Sequence, residues 1–207
     1  MEPIILASES PRRREFLTLL GLPFTCLPSN VDESFEPGAE PRAVAEELAI
    51  RKVSKTAENL KKGAFSSPFC WICGADTIIS LNGRIYGKAL DRKDAGRMLR
   101  AFQGNTHEVI SAVALCKCSP DGVISNMDCR SSLSKVSFAP MSEAEVEWYL
   151  DSGEWQDAAG AYKLQGLASC FISRVEGSYS SIVGLPLREF YAILRDNGYP
   201  YGASYSP

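Results

Sequence analysis

The sequence predicts an α/β fold with a mixed β-sheet flanked by helices, on three observations. Short β-type runs alternate with helix-period segments along the chain. Two hairpin signals, Asn82-Gly83 and Pro120-Asp121-Gly122, interrupt that alternation and call for antiparallel pairs within the sheet. The composition, 45% hydrophobic and 23% charged over 207 residues, is that of a chain able to bury a core without disulfide or metal staples, which excludes disordered and fibrous classes. Turn signals are spread evenly and no repeat divides the chain, so one domain over residues 1–207 is expected.

Each element has a local reason. Ile4–Ala7 is a short apolar run, read as a buried strand. Ser10-Pro11 opens a helix, with serine as N-cap and proline at the first helical position. Phe16, Leu17, Leu19 and Leu20 supply its apolar face and Gly21 ends it. Phe24–Leu27 reads as a second strand, followed by a loop over residues 30–38 carrying Asp32, Glu33 and Glu36. Residues 42–59 have helical spacing, with Ala45, Leu48, Ala49, Lys52 and Val53 toward one side. Residues 69–81 form a long, mostly apolar strand that returns through Asn82-Gly83 to Arg84–Tyr86. Residues 92–102 form a helix with Ala95, Met98, Leu99 and Phe102 inward. Residues 108–116 and 123–138 read as antiparallel strands. Ser142 and Glu145 make a capping box for a helix ending near Gly153. Residues 169–175 and 180–183 read as short strands, residues 185–197 as the last helix closed by Gly198, and the tail from Tyr199 as loose.

Several function classes are excluded at this level. A net charge of −3 provides no global field for nucleic acid or anionic lipid, so an anion site must be local. No apolar run approaches the roughly 18–20 residues of a membrane span, and the N-terminus lacks the basic and apolar regions of a signal peptide. Seven cysteines, an odd number, point to reduced thiols in a cytoplasmic setting. Cys70-x-x-Cys73 and Cys116-x-Cys118 resemble zinc ligands in spacing only, because Cys70 and Cys73 fall on opposite faces of a strand. A single histidine, His107, excludes any site needing two from one chain. The nucleotide cradles Gly-x-Gly-x-x-Gly and Gly-x-x-x-x-Gly-Lys-Ser/Thr are absent.

Two features carry chemistry. Arg12, Arg13 and Arg14 crowd the first turn of the first helix, where the helix dipole repels cations. They fit there if an anion such as a triphosphate binds among the guanidinium groups, Ser8, Ser10 and the backbone amides; otherwise they are solvated surface arginines. Asp76 lies in an apolar strand, where an unpartnered carboxylate is costly. It reads as a metal ligand or general base, or else as a salt-bridged core aspartate. Gly74 beside it leaves room for another group to approach the backbone. Asp32 and Glu33 on their loop would complete an oxygen site for Mg²⁺, or are simply solvated. Lys52 on the inner side of its helix, Lys88 after the hairpin, and Gln165 between glycines are candidates to reach phosphate, base or nucleobase edge, each with a bland surface alternative.

Taken together, these segments resemble the Maf family of nucleoside triphosphate pyrophosphatases. The resemblance rests on Ile5 through Arg13, Glu47 through Lys52, Gly74-Ala75-Asp76-Thr77, Gly87-Lys88, Gly104 through Val109, Gly160-Ala161-Tyr162 with Gln165-Gly166, and Gly177 through Gly184-Leu185-Pro186-Leu187. It implies a mixed-sheet α/β fold with two lobes around a cleft, and a cytoplasmic homodimer that hydrolyses dTTP and UTP with Mg²⁺ or Mn²⁺. It also implies phosphate contacts from Ser8, Ser10, Arg12, Arg13 and Lys52. The metal site would be Glu33 and Asp76, with Asp76 the catalytic base, and specificity would rest on Arg12, Thr77, Lys88 and Gln165. A 7-methyl-GTP specificity, and a nucleotide-binding regulator of cell division with little turnover, are the alternatives. The chain has Lys88-Ala89 where the family usually has Lys-Pro, and Asp157-Ala158-Ala159-Gly160 where it usually has Asp-Lys-Ala-Gly.

Overall fold

A computed structural model describes residues 1–61, 71–119 and 123–200. The elements run β1 (Ile4–Leu6), α1 (Pro11–Leu19), β2 (Phe24–Cys26), α2 (Pro41–Lys61), β3 (Trp71–Leu81), β4 (Arg84–Tyr86) and α3 (Arg92–Phe102). They continue as β5 (Thr106–Cys118), β6 (Ile124–Phe138), α4 (Glu143–Asp151), β7 (Ile172–Glu176), α5 (Tyr179–Val183) and α6 (Leu187–Asp196). The sheet is mixed, in the order β2-β1-β3-β5-β6-β7, with β4 added to β3. β1 is parallel to β2 and β3, and the remaining pairs are antiparallel. The expected α/β class and mixed sheet are therefore both present. Cys70, the Pro120-Asp121-Gly122 turn and residues 201–207 of the expected tail lie outside the described residues.

The period of two along β3 decides what the sheet presents to each side. Ile72 and Ile78 pack with Val44, Leu48 and Val53 of α2 on one face. Trp71, Cys73 and Ala75 pack with Leu17 of α1 and Phe190, Ile193 and Leu194 of α6 on the other. A third cluster gathers Ile79, Val109 and Phe138 from the far end of the sheet with Phe102, Tyr149 and Tyr162.

Four local expectations need correcting. Leu19 and Leu20 are exposed, because α1 ends in a Schellman turn in which Leu22 donates its amide to the Leu17 carbonyl and takes the core position itself. Residues 180–183 are helical, since Ser178 caps the segment by accepting the Ser181 amide and Gly184, at φ +128°, closes it. So short an apolar run cannot by itself tell strand from helix. The segment from 169 begins instead as a 3-10 turn, Leu167–Cys170, capped by the Glu154 carboxylate on the Leu167 and Ala168 amides. Tyr199 is buried, packed edge-on against Trp71 with its hydroxyl donating to the Glu2 carbonyl, so Tyr199 itself is not part of a loose tail.

His107 is buried among Phe102, Phe138 and Tyr162, with Nε2 2.9 Å from the Tyr162 hydroxyl and Nδ1 unpartnered. Burial lowers its pKa from 6.5 to about 4. The unfolded chain therefore binds a proton that the folded chain refuses as pH falls from 6.5 toward 4. The sign is a loss of stability on acidification, fully regained above the unfolded value. Thermal melts of His107→Gln should lose roughly 2–3 kcal/mol less than the native protein between neutral pH and about pH 4.5. Equal losses would show that His107 does not titrate in this way.

Candidate functional site

The cleft originates in a gap in the sheet. On one side β3 pairs with β1 through Cys73 and with β4 only from Ile79 onward. Residues 74–78 have no strand on that side among the described residues. Because β1 stops at Leu6, the chain leaves the sheet there and turns into α1, whose N-terminus faces the gap. The resulting cleft has a volume of about 730 Å³. Ser8, Ser10, Arg12, Arg13, Glu33, Lys52, Asp76, Thr77, Lys88 and Gln165 all line it. These ten residues, all singled out from the sequence, are thus in one space. Arg14 and Asp32 are not part of its wall; Arg14 is exposed, and Asp32 turns back to accept from the Ser34 amide and hydroxyl.

The acidic centre depends on Gly74. A Cβ there would stand 2.6 Å from the Ala49 carbonyl oxygen and 2.9 Å from Val53 Cγ2, so only glycine lets α2 lie this close to β3. That approach carries Lys52 to Asp76. Lys52 Nζ lies 2.5 Å from Asp76 Oδ1 and 2.7 Å from Glu33 Oε1, and both Lys52 and Asp76 are only 7% exposed. Glu33 reaches in from the loop after β2 and remains open to water. Burial pushes its carboxyl up, but the hydrogen bond and charge of Lys52, helped by Lys88 and Arg13, outweigh this and hold it below the ordinary glutamate range. Two carboxylate oxygens thus converge on the Lys52 ammonium. Hard oxygen donors of this number suit Mg²⁺ or Mn²⁺, which complete their shells with water and phosphate oxygens.

The basic wall is built by α1. Its first turn has no acidic residue and no side-chain cap from Ser10, leaving amides free to face an anion. Ser8 Oγ accepts from the Ser10 amide at 3.2 Å and from Arg13 Nη1 at 3.0 Å. Arg13 Nε donates to the Gly184 carbonyl at 2.8 Å, so the guanidinium is held from two sides. Burial lowers the Arg13 pKa while the Asp76 carboxylate opposes the shift; a guanidinium stays charged in either case. Arg12 extends toward the Asp157 carbonyl across the cleft, at 3.4 Å. The opposite wall is fixed by the Gly160 amide, which donates to the Gly87 carbonyl at 2.8 Å, and by pairing of Lys88 with Ala159. Gly160 has φ +67° and a Cβ there would meet Ile79 Cδ1 at 2.5 Å, so the loop carrying Gln165 depends on glycine at that point. Ala158, where a lysine was expected, is buried and brings no charge to this wall.

Sequence reasoning missed three contributors: the Gly184 carbonyl that holds Arg13, the Asp157 carbonyl that meets Arg12, and Ser111 behind Thr77. Backbone carbonyls leave no mark in a sequence. Ser111 did leave one, as a hydroxyl inside the apolar run Val109-Ile110-Ser111-Ala112-Val113.

A family model described as Maf, Maf-like protein, matches residues 3–197. A dTTP/UTP pyrophosphatase of Syntrophomonas wolfei is 39% identical over 193 residues, covering 93% of this chain and 96% of that protein. A dTTP/UTP pyrophosphatase of Hahella chejuensis is 43% identical over 195 residues, covering 94% of this chain and 92% of that one. Among solved structures, a nucleoside-triphosphatase / dITP/XTP pyrophosphatase from Mycobacterium abscessus aligns over 94% of both chains at 15% identity, with a TM-score of 0.41, too low to bear on the reading.

Proposed function

The chain belongs to the Maf family, and on that premise we propose that it hydrolyses dTTP and UTP to the monophosphate and pyrophosphate. The observation that carries the proposal is the convergence of Arg12, Arg13 and Lys52 with Glu33 and Asp76 in one cleft. A nucleotide's phosphate chain needs the cations, and its hydrolysis needs the carboxylates.

In this mechanism the triphosphate lies along the N-terminus of α1, held by Ser8, Ser10, Arg12 and Arg13, with Lys52 beside it. Asp76 takes a proton from a water whose oxygen attacks the α-phosphorus. The bond from the α-phosphorus to the bridging oxygen breaks, and its electron pair leaves on pyrophosphate, whose charge the arginines balance. Most of the rate gain comes from charges placed before the reaction begins. Glu33 and Asp76 are the residues that would hold Mg²⁺ or Mn²⁺, which supplies further neutralisation of phosphate charge. Lys88 and Gln165, on the wall opposite α1, contact the base. The enzyme acts in the cytoplasm as a homodimer on free nucleotides; none of the described helices is long and apolar enough to cross a membrane.

The test is pyrophosphate release from dTTP, UTP, CTP, GTP, ATP and 7-methyl-GTP with Mg²⁺ or Mn²⁺. Release is expected to be fastest with dTTP and UTP. Preference for 7-methyl-GTP would reassign the base, and tight binding without release would replace the enzyme by a nucleotide-binding regulator.

A further inference from the structure

Thr77 stands opposite Ser111 in the ladder between β3 and β5, and their hydroxyl oxygens lie 2.8 Å apart. Ser111 is fully buried, and its Oγ also lies 2.6 Å from the carbonyl oxygen of Ser181 in α5. A carbonyl oxygen can only accept, so the single Ser111 proton is committed to it. The proton between the two hydroxyls must then come from Thr77. The Gly184 amide also donates to the Ser181 carbonyl, at 3.0 Å, and so helps keep that acceptor in place. Thr77 lines the cleft, and its hydroxyl has no proton left to offer there. It presents lone pairs alone.

We infer that Ser111 is a positioning residue that locks Thr77 as a hydrogen-bond acceptor in the cleft, so that the site selects nucleotides bringing an N–H or O–H donor to that point. The inference rests on the nucleotide-hydrolase reading above and narrows it. Thr77 so held does not bind phosphate, since phosphate oxygens also only accept. In uracil and thymine nucleotides a donor has two sources. Uracil and thymine carry N–H at N3, where cytosine, of nearly the same shape, carries a bare lone pair. The sugar carries hydroxyls.

Two substrate pairs separate the sources. Comparing dUTP with dCTP reverses the polarity at N3 and at position 4, and comparing UTP with 3′-deoxy-UTP removes a sugar hydroxyl. The native protein should favour the donor-bearing member of one pair by about tenfold or more in kcat/KM, the cost of leaving an acceptor unpaired. In Ser111→Ala the Thr77 hydroxyl is free to turn its proton into the cleft, and that ratio should fall toward one. Thr77→Val should lower the same ratio, and adding Ser111→Ala to it should change the ratio no further, because the serine acts only through the threonine. A purely structural loss lowers both members of a pair together and leaves the ratio alone. Collapse in the base pair identifies N3–H as the donor, and collapse in the sugar pair identifies the hydroxyl. Turnover with neither ratio moved by Ser111→Ala, or additive effects in the double variant, overturns the inference alone. No turnover of any of the four nucleotides by the native protein overturns the hydrolase reading and this inference with it.

Discussion

Asp76→Asn is expected to lower kcat for dTTP hydrolysis by about 10²-fold or more, the usual contribution of a positioned general base. Asparagine has nearly the shape of aspartate, and its amide oxygen can still accept from Lys52, so the change removes charge and basicity more than packing. Lys52 keeps Glu33 as a carboxylate partner at 2.7 Å. Some stability is lost, because an ammonium that is 7% exposed gives up its closer counter-ion. Rates are therefore measured well below the melting temperature of the variant, with folding checked by circular dichroism. Activity within about threefold of native would mean that Asp76 supplies no general-base help of the expected size.

The second large effect is expected at a residue without a side chain. Gly74→Ala places a Cβ 2.6 Å from the Ala49 carbonyl oxygen, 2.9 Å from Val53 Cγ2 and 3.2 Å from Lys52 Cβ. The first neighbour is helix backbone and cannot swing aside, so α2 must move away from β3. Overpacking of this kind costs about 1–3 kcal/mol. The larger consequence is chemical, because Lys52 rides on the displaced helix. A shift on the order of 1 Å can cost 10²-fold in rate when it disturbs a positioned group. Urea unfolding should show a lower midpoint with an unchanged slope, and kcat should fall by at least about tenfold. A variant with native stability and rate would show that α2 is not held by this contact.

These two sites differ in how far the sequence revealed them. Asp76 was visible because a carboxylate in an apolar strand is expensive and invites an explanation. Arg12 and Arg13 were visible because cations at a helix start oppose its dipole. Gly74 announced only that something comes close; that the neighbour is α2, and that the approach delivers Lys52, depends on how a helix 21 residues long lies across the sheet. The short strand expected over residues 180–183 failed for a related reason. Ile182 and Val183 suit either a strand or a helix, and capping by Ser178 decided between them.

What the sequence determined by itself is what acts over a few residues: the proline that opens α1, the Asn82-Gly83 turn, the capping box of α4, and the misplaced charges that betray a site. What only the tertiary structure decided is what depends on two distant segments meeting. The Schellman turn passing the core position to Leu22 and the Ser111–Thr77 chain belong here, as do the Gly184 carbonyl on Arg13 and Lys52 between two carboxylates. Caps and turns are written in neighbouring residues because their hydrogen bonds close within a turn or two of chain. The cleft is not, because its walls come from distant segments, such as Arg13 and Gly184, 171 residues apart, and their spacing is set by helix-on-sheet packing that no local window contains.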